Sequence, residues 1–203
     1  VGWHGEDGHG CAGPDATWRH SEPMNLANAE AVTACFGHPV KYFSRLTAEA
    51  RHALVAGRLA LSAANFAREQ REIALLSAGF DGQLAANLDY FADYVRHGRS
   101  LGRGNLFIYT LPTSTLGEMT IALGLTGPAY HCHDPRRPFR GLLDEAALLL
   151  AQGEAAGALA IWSAPDAAVC VACQASLPAG HFPEGCDLRS RQRRQRTAAP
   201  HAV

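Results

Sequence analysis

Apolar positions recur along the chain with two periods, and these divide it into alternating helices and strands. From Thr47 onward, Ala50, Leu54, Gly57, Leu61 and Ala64 follow at helical spacing. Thr47 is placed to cap this helix, and Glu49 sits in its first turn, where a carboxylate suits the positive helix end. The small residues of the stripe predict close packing against a sheet or a second helix. The apolar run 73–77, followed by Gly79, is the pattern of a buried strand ending in a tight turn. Leu84, Leu88, Phe91 and Val95 then return at spacings of four, three and four, predicting a helix capped by Asp81 and stopped at Gly98.

Beyond a loop of Gly, Arg and Ser, residues 106–109 are apolar, Pro112 opens a helix that runs through Leu123, and Gly127-Pro128 marks a turn. Residues 130–133 read as strand. Residues 140–152 form an amphipathic helix with Leu142, Leu143, Ala146, Leu149 and Leu150 on one side and Gly153 as its stop. Two apolar strands, 159–163 and 169–175, close the core. Residues 1–15, rich in glycine and aperiodic, read as an irregular segment, at most the tail of a strand. This alternation predicts one layered α/β domain over residues 1–178, followed by an irregular, disordered Arg-rich tail over 179–203.

Composition narrows the class. A length of 203 residues suits one domain, and 47% hydrophobic with 18% charged residues is the balance of a soluble globular protein. No apolar run is long enough to cross a bilayer, so no membrane partner is expected. Six scattered cysteines without a disulfide-scaffold spacing read as the reduced thiols of a cytoplasmic protein. The formal net charge of -1 hides a local excess, since Arg189, Arg191, Arg193, Arg194 and Arg196 cluster in the tail. Such a run attracts acidic carriers or nucleic acid, but no aromatics are interleaved to stack bases, and it reads as a solvated tail with no nucleic-acid partner. Gly79 and Gly82 flank a strand-to-helix turn without completing a phosphate-loop motif. Cys170 and Cys173, with His181 and Cys186 to complete four ligands, have zinc-compatible spacing. Because the pair lies inside an apolar run, it reads as buried strand, and no metal or cofactor is expected.

One stretch is more specific. Pro112-Thr113-Ser114-Thr115-Leu116-Gly117-Glu118-Met119-Thr120-Ile121-Ala122-Leu123-Gly124-Leu125-Thr126-Gly127-Pro128 resembles the segment that leads to the active-site strand of the beta-ketoacyl synthases, in the thiolase-like superfamily. Phe43-Ser44-Arg45-Leu46 and the alanine-rich helix after it are similar to that family's first long helix, and residues 73–82 to its next strand and glycine turn. Leu150-Ala151-Gln152-Gly153-Glu154-Ala155-Ala156-Gly157-Ala158 resembles the end of the helix after the nucleophile, and Val1-Gly2-Trp3-His4-Gly5 the end of the first strand. The resemblance covers residues 43–164 and is to the amino-terminal half of the family. It implies a half-thiolase-like α/β domain with a mixed sheet and flanking helices.

The resemblance also locates a missing group. In ketosynthases a cysteine accepts the acyl chain between the active-site strand and the next helix. Eight residues on from Pro128, or seventeen back from Gly153, the position is Arg136, whose protonated guanidinium has no nucleophilic lone pair. Cys132, four residues earlier, reads as a small buried hydrophobe. His131 and His133 share a strand face, open to an acid–base or metal role, but without a third ligand they read as packed or surface residues. The half that carries the family's own histidines has no counterpart after Ala175. The resemblance therefore implies a noncatalytic, chain-length-factor-like partner or accessory subunit in fatty-acid or polyketide-type biosynthesis. Its expected partners are a second copy or a ketosynthase, in a dimer with Tyr130 and Cys132 near the contact, and an acyl carrier protein. The alternatives are an acyltransferase or hydrolase using Cys132 or a site shared with a partner chain, and a zinc- or nucleic-acid-binding module.

Overall fold

The structure, a computed structural model, describes residues 1–6, 8–12, 18–22, 24–64, 66, 72–79, 83–99, 102–133 and 138–174. In chain order its strands are β1 (Gly2–Gly5), β2 (Gly8–Ala12), β3 (Trp18–Ser21), β4 (Ile73–Gly79), β5 (Ala129–His131), β6 (Gly157–Ser163) and β7 (Ala167–Gln174). They form a single sheet in the order β3-β2-β1-β7-β6-β4-β5. β4 is parallel to both β5 and β6, and every other pairing is antiparallel. The parallel pairs follow from helical crossovers, and β6 to β7 is a tight hairpin.

Both faces of the sheet are covered at β4 and β6, as the continuous apolar run of β4 demands. Successive β4 residues alternate between two cores. Ile73 and Leu75 enter one, while Ala74, Leu76 and Ala78 enter the other. The first core is closed by α1 (Ala29–Phe36), α2 (Ala48–Ala63) and α5 (Pro112–Leu123). Ala53, Ala56 and Ala60 of α2 have no exposure, and such small side chains let the helix lie close to β1 and β7. Thr47 caps it as expected, its hydroxyl accepting from the Ala50 amide at 3.2 Å. The second core lies under α6 (Pro138–Gln152), which buries Leu142, Ala146 and Leu149 against the sheet.

The amino terminus corrects the reading of residues 1–15 as irregular, while residues 1–5 do end a strand as the resemblance implied: β1 and β2 are paired strands. Their glycines are there for fit. A side chain at Gly2 would strike the α2 backbone at Ala56 and Ala60, and one at Gly10 would strike the Trp3 ring and the Arg19 carbonyl. Helix α1 also escaped the periodicity. Its cap was nonetheless present in sequence: Asn28 accepts from the amides of Glu30 and Ala31, and Gly37 ends the helix at φ 77°.

Helix α3 (Leu84–Arg96) forms where the 4-3-4 pattern placed it, and Gly98 stops it at φ 75°. Asp81, its expected cap, and Gly82 lie outside the described residues. Gln83 occupies the cap position at φ 73° without a side-chain cap bond. Asn87 ties α3 to the next segment, donating to the carbonyls of Gln83 and Thr110. That segment continues through the short α4 (Gly104–Phe107) and a 3-10 turn at Ile108–Thr110. Among the described residues no helix is long and apolar enough to cross a membrane.

β1 also places a polar pair inside the sheet–helix contact. His4 is 2% exposed, and its Nδ1 lies 2.8 Å from Nδ1 of His52 on α2. One of these nitrogens must donate and the other accept, so the contact requires that the two rings not both be protonated. Burial, with His52 and His9 adding like charge, pushes the His4 pKa down to about 4.

Candidate functional site

The carboxyl ends of parallel strands are where α/β sheets expose side chains to a ligand. Here the ends of β4, β5 and β6 meet the first turns of α2, α3 and α5 around a cavity of about 10 Å³, lined by Glu49, Ser77, Gly79, Gln83, Thr115, His131 and Ser163, among others. A space of that size approaches the minimum for one water molecule. Ser77 and His131 are directly opposite in the β4–β5 register, and the Ser77 hydroxyl lies 2.9 Å from His131 Nδ1. Burial first, then the positive form of His133, lowers the His131 pKa, so the ring is neutral at pH 7 and offers one nitrogen as an acceptor. Across the cavity the Ser163 hydroxyl donates to Glu49 Oε1 at 2.6 Å. The buried Glu49 carboxylate also sits in the first turn of α2, where the helix dipole favours negative charge.

This network is well supplied with hydrogen-bonding groups and has no room for a substrate. A serine beside a neutral imidazole is a pairing that nucleophilic catalysis uses. Ser77, however, is 5% exposed in mid-sheet, where an acyl group cannot reach its oxygen without opening the cavity.

The predicted site residues divide around this cavity. His131 lines it, whereas His133 follows the end of β5 and is exposed. Cys132 packs against the second core, its amide donating to the Ser77 carbonyl at 2.7 Å. Burial and the nearby Glu145 carboxylate push its thiol above the ordinary range, so the thiolate, the nucleophilic form, is scarce at neutral pH. Tyr130 donates to Glu145 Oε1 at 2.6 Å and is half-buried on β5, the last strand of the sheet. Arg136, the residue at the nucleophile spacing, lies outside the described residues, as do His181, Cys186 and the whole Arg-rich tail. Cys170 and Cys173 are both on β7, but three residues apart on a strand they point to opposite faces. Cys170 is in the first core and Cys173 borders the second, so the two sulfurs cannot converge on one ion. Among the described residues no group of three or more potential ligands is placed to hold a metal. Periodicity did not reveal the polar groups that share the cavity with His131. Ser77 read only as the end of an apolar run, and Glu49 only as a first-turn charge.

A mixed sheet between two helical layers, with parallel strands ending at a polar cluster, defines a layered α/β protein. Two solved structures that share it are of a ketosynthase with a chain length factor. A chain of the complex between a ketosynthase (ApeO) and its chain length factor (ApeC) from Xenorhabdus doucetiae is 16% identical, with a TM-score of 0.51, covering 73% of this chain and 73% of that one. The ishigamide ketosynthase/chain length factor is 15% identical, with a TM-score of 0.55, covering 68% of this chain and 47% of that one. The chain therefore spans about half the length of the latter. At this level of identity the likeness establishes the fold. No protein-family model matches the sequence, and comparison with curated proteins finds no match.

Proposed function

We propose that the chain is a noncatalytic, ketosynthase-like partner or accessory subunit in fatty-acid or polyketide-type biosynthesis. What supports this reading is the likeness of the fold to ketosynthase/chain length factor structures, together with a sequence that sets Arg136 at the nucleophile spacing. The ketosynthase spacing falls on Arg136, and Cys132, the nearest thiol, is half-buried with its pKa raised. The small polar cavity supports the same reading, because its groups satisfy one another. The partner is a ketosynthase or a second copy of this chain. An acyl carrier protein is the further partner. β5, at the sheet's end with Tyr130 and Cys132, is the proposed contact, since a strand edge is a template for pairing with another chain.

Incubation with an acyl carrier thioester, followed by intact mass spectrometry, tests the chemistry. No stable acyl-protein is expected, and Arg136→Cys alone should not restore condensation. Acylation abolished by Cys132→Ala and retained in Cys170→Ala would overturn this reading in favour of an acyltransferase. Co-purification with a ketosynthase tests the partnership, with Tyr130→Asp as the variant that should weaken it.

A further inference from the structure

The apolar face of α3 points away from the molecule. Leu84, Leu88, Phe91 and Val95 are 52%, 59%, 62% and 40% exposed, and no residue of the helix is fully buried. The side turned toward the body instead carries Tyr90, Asp93 and Tyr94, with Asp93 paired to Arg103 at 3.3 Å. Single exposed leucines are ordinary, but four apolar side chains in one unbroken stripe mark an interaction surface. Phe107 and Ile108, each about half exposed, lie in the segment packed on α3, where the Phe107 ring meets Tyr90 at 5.6 Å. The four half-exposed side chains of the stripe offer on the order of 400 Å², about half of the roughly 800 Å² per partner that a stable dimer buries.

The stripe itself describes its occupant. Spacings of four, three and four are those of a heptad seam, which packs into the seam of another helix. The series reads the same in both directions. A two-fold axis between residues 89 and 90, perpendicular to the helix, therefore carries Leu84 onto Val95 and Leu88 onto Phe91, so the surface is complementary to itself in the antiparallel sense. Ala85 and Ala92 border one edge of the stripe and leave room for close approach. A lipid surface would call for a strongly basic polar face, whereas the charges of α3 are Asp89, Asp93 and Arg96.

We propose that α3 packs antiparallel against α3 of a second copy, forming a symmetric homodimer through this seam. The contact is separate from the β5 edge and needs no ketosynthase.

Sedimentation equilibrium of the full chain at micromolar concentration tests it. A dimer is expected for the natural sequence, and a double Leu88→Glu, Phe91→Glu variant with an unchanged circular dichroism spectrum should dissociate at least 100-fold more readily. Should that variant not fold, Phe91→Ser alone should still weaken the dimer at least tenfold. A double Leu88→Cys, Phe91→Cys variant should form an intermolecular disulfide between positions 88 and 91 faster than the natural cysteines link chains under the same oxidant. A dimer insensitive to the α3 changes but lost in Tyr130→Asp would overturn the proposal by placing the contact at β5. So would a monomer that binds vesicles containing anionic phospholipid. A monomer in which Phe91→Cys is slow to react with maleimide would also overturn it, by showing that another part of the same chain covers the stripe.

Discussion

Helices α6 and α3 carry similar instructions and end in opposite circumstances. Both have an apolar stripe at helical spacing and a glycine stop. In α6 the stripe is covered, with Leu142 and Ala146 wholly buried against β4 and β6, whereas in α3 every stripe residue is at least 40% exposed. The difference is in the surroundings. α6 crosses a sheet whose buried residues on that face are alanines and Leu76, while α3 is held by the side-chain bonds of Asn87 and by Asp93 on its polar side. Periodicity thus specifies a face and leaves open which body covers it.

The largest effect expected is on the covered side. Leu142→Ala should cost about 2–5 kcal/mol, the range for emptying a leucine site in a packed core, read as a lower denaturant midpoint with an unchanged slope. A loss below about 1 kcal/mol would mean that α6 is held no more firmly than α3.

Next in size is the acid response of the layer under α2. His4 has its folded pKa lowered to about 4 from an ordinary 6.5, so the unfolded chain takes up a proton first as pH falls. The stability linked to this ring is complete above pH 6.5 and is lost progressively between pH 6.5 and 4, by about 3 kcal/mol in all. Urea titrations across that interval should show the slope, and His4→Gln should flatten it. An unaltered slope in that variant would assign the acid response to other groups.

How far the sequence disclosed these arrangements depended on whether a residue's role was local. The caps and stripes of α2 and α6, and strands β4, β6 and β7, were legible because each states its period within a few residues. β1 and β2 gave no alternation, being rich in glycine and histidine, and only the resemblance marked residues 1–5 as the end of a strand; the pairing depends on how closely Gly2 and Gly10 approach other chain segments. In the candidate site, His131 was placed on the correct strand. Its contact with Ser77 spans 54 residues and that of Ser163 with Glu49 spans 114, so neither exists before the sheet register does.

That second pair gives an intermediate effect. Glu49→Ala leaves the buried Ser163 hydroxyl without its acceptor and should cost about 1–3 kcal/mol, whereas the double change with Ser163→Ala should recover part of the loss. Thermal unfolding of the four members of the cycle measures the coupling, and strictly additive losses would show that the bond contributes nothing.

The smallest effect returns to α3. Within the monomer, Leu88→Ala should change unfolding free energy by no more than about 0.5 kcal/mol, as at other exposed positions. Measurement at submicromolar concentration isolates this value from association, and a loss comparable to that of Leu142→Ala would contradict the exposure of the stripe.

The split of Cys170 and Cys173 between the two faces of β7 has an experimental use. Each thiol stands guard over a different helical layer, so the rates at which the two are alkylated report separately on opening beneath α2 and beneath α6. Equal rates under mild denaturant, once corrected for the intrinsic reactivity of each thiol, would mean that the layers part together. Unequal rates would show one layer detaching while the other still holds the sheet, and the alkylated peptide would identify which came loose first.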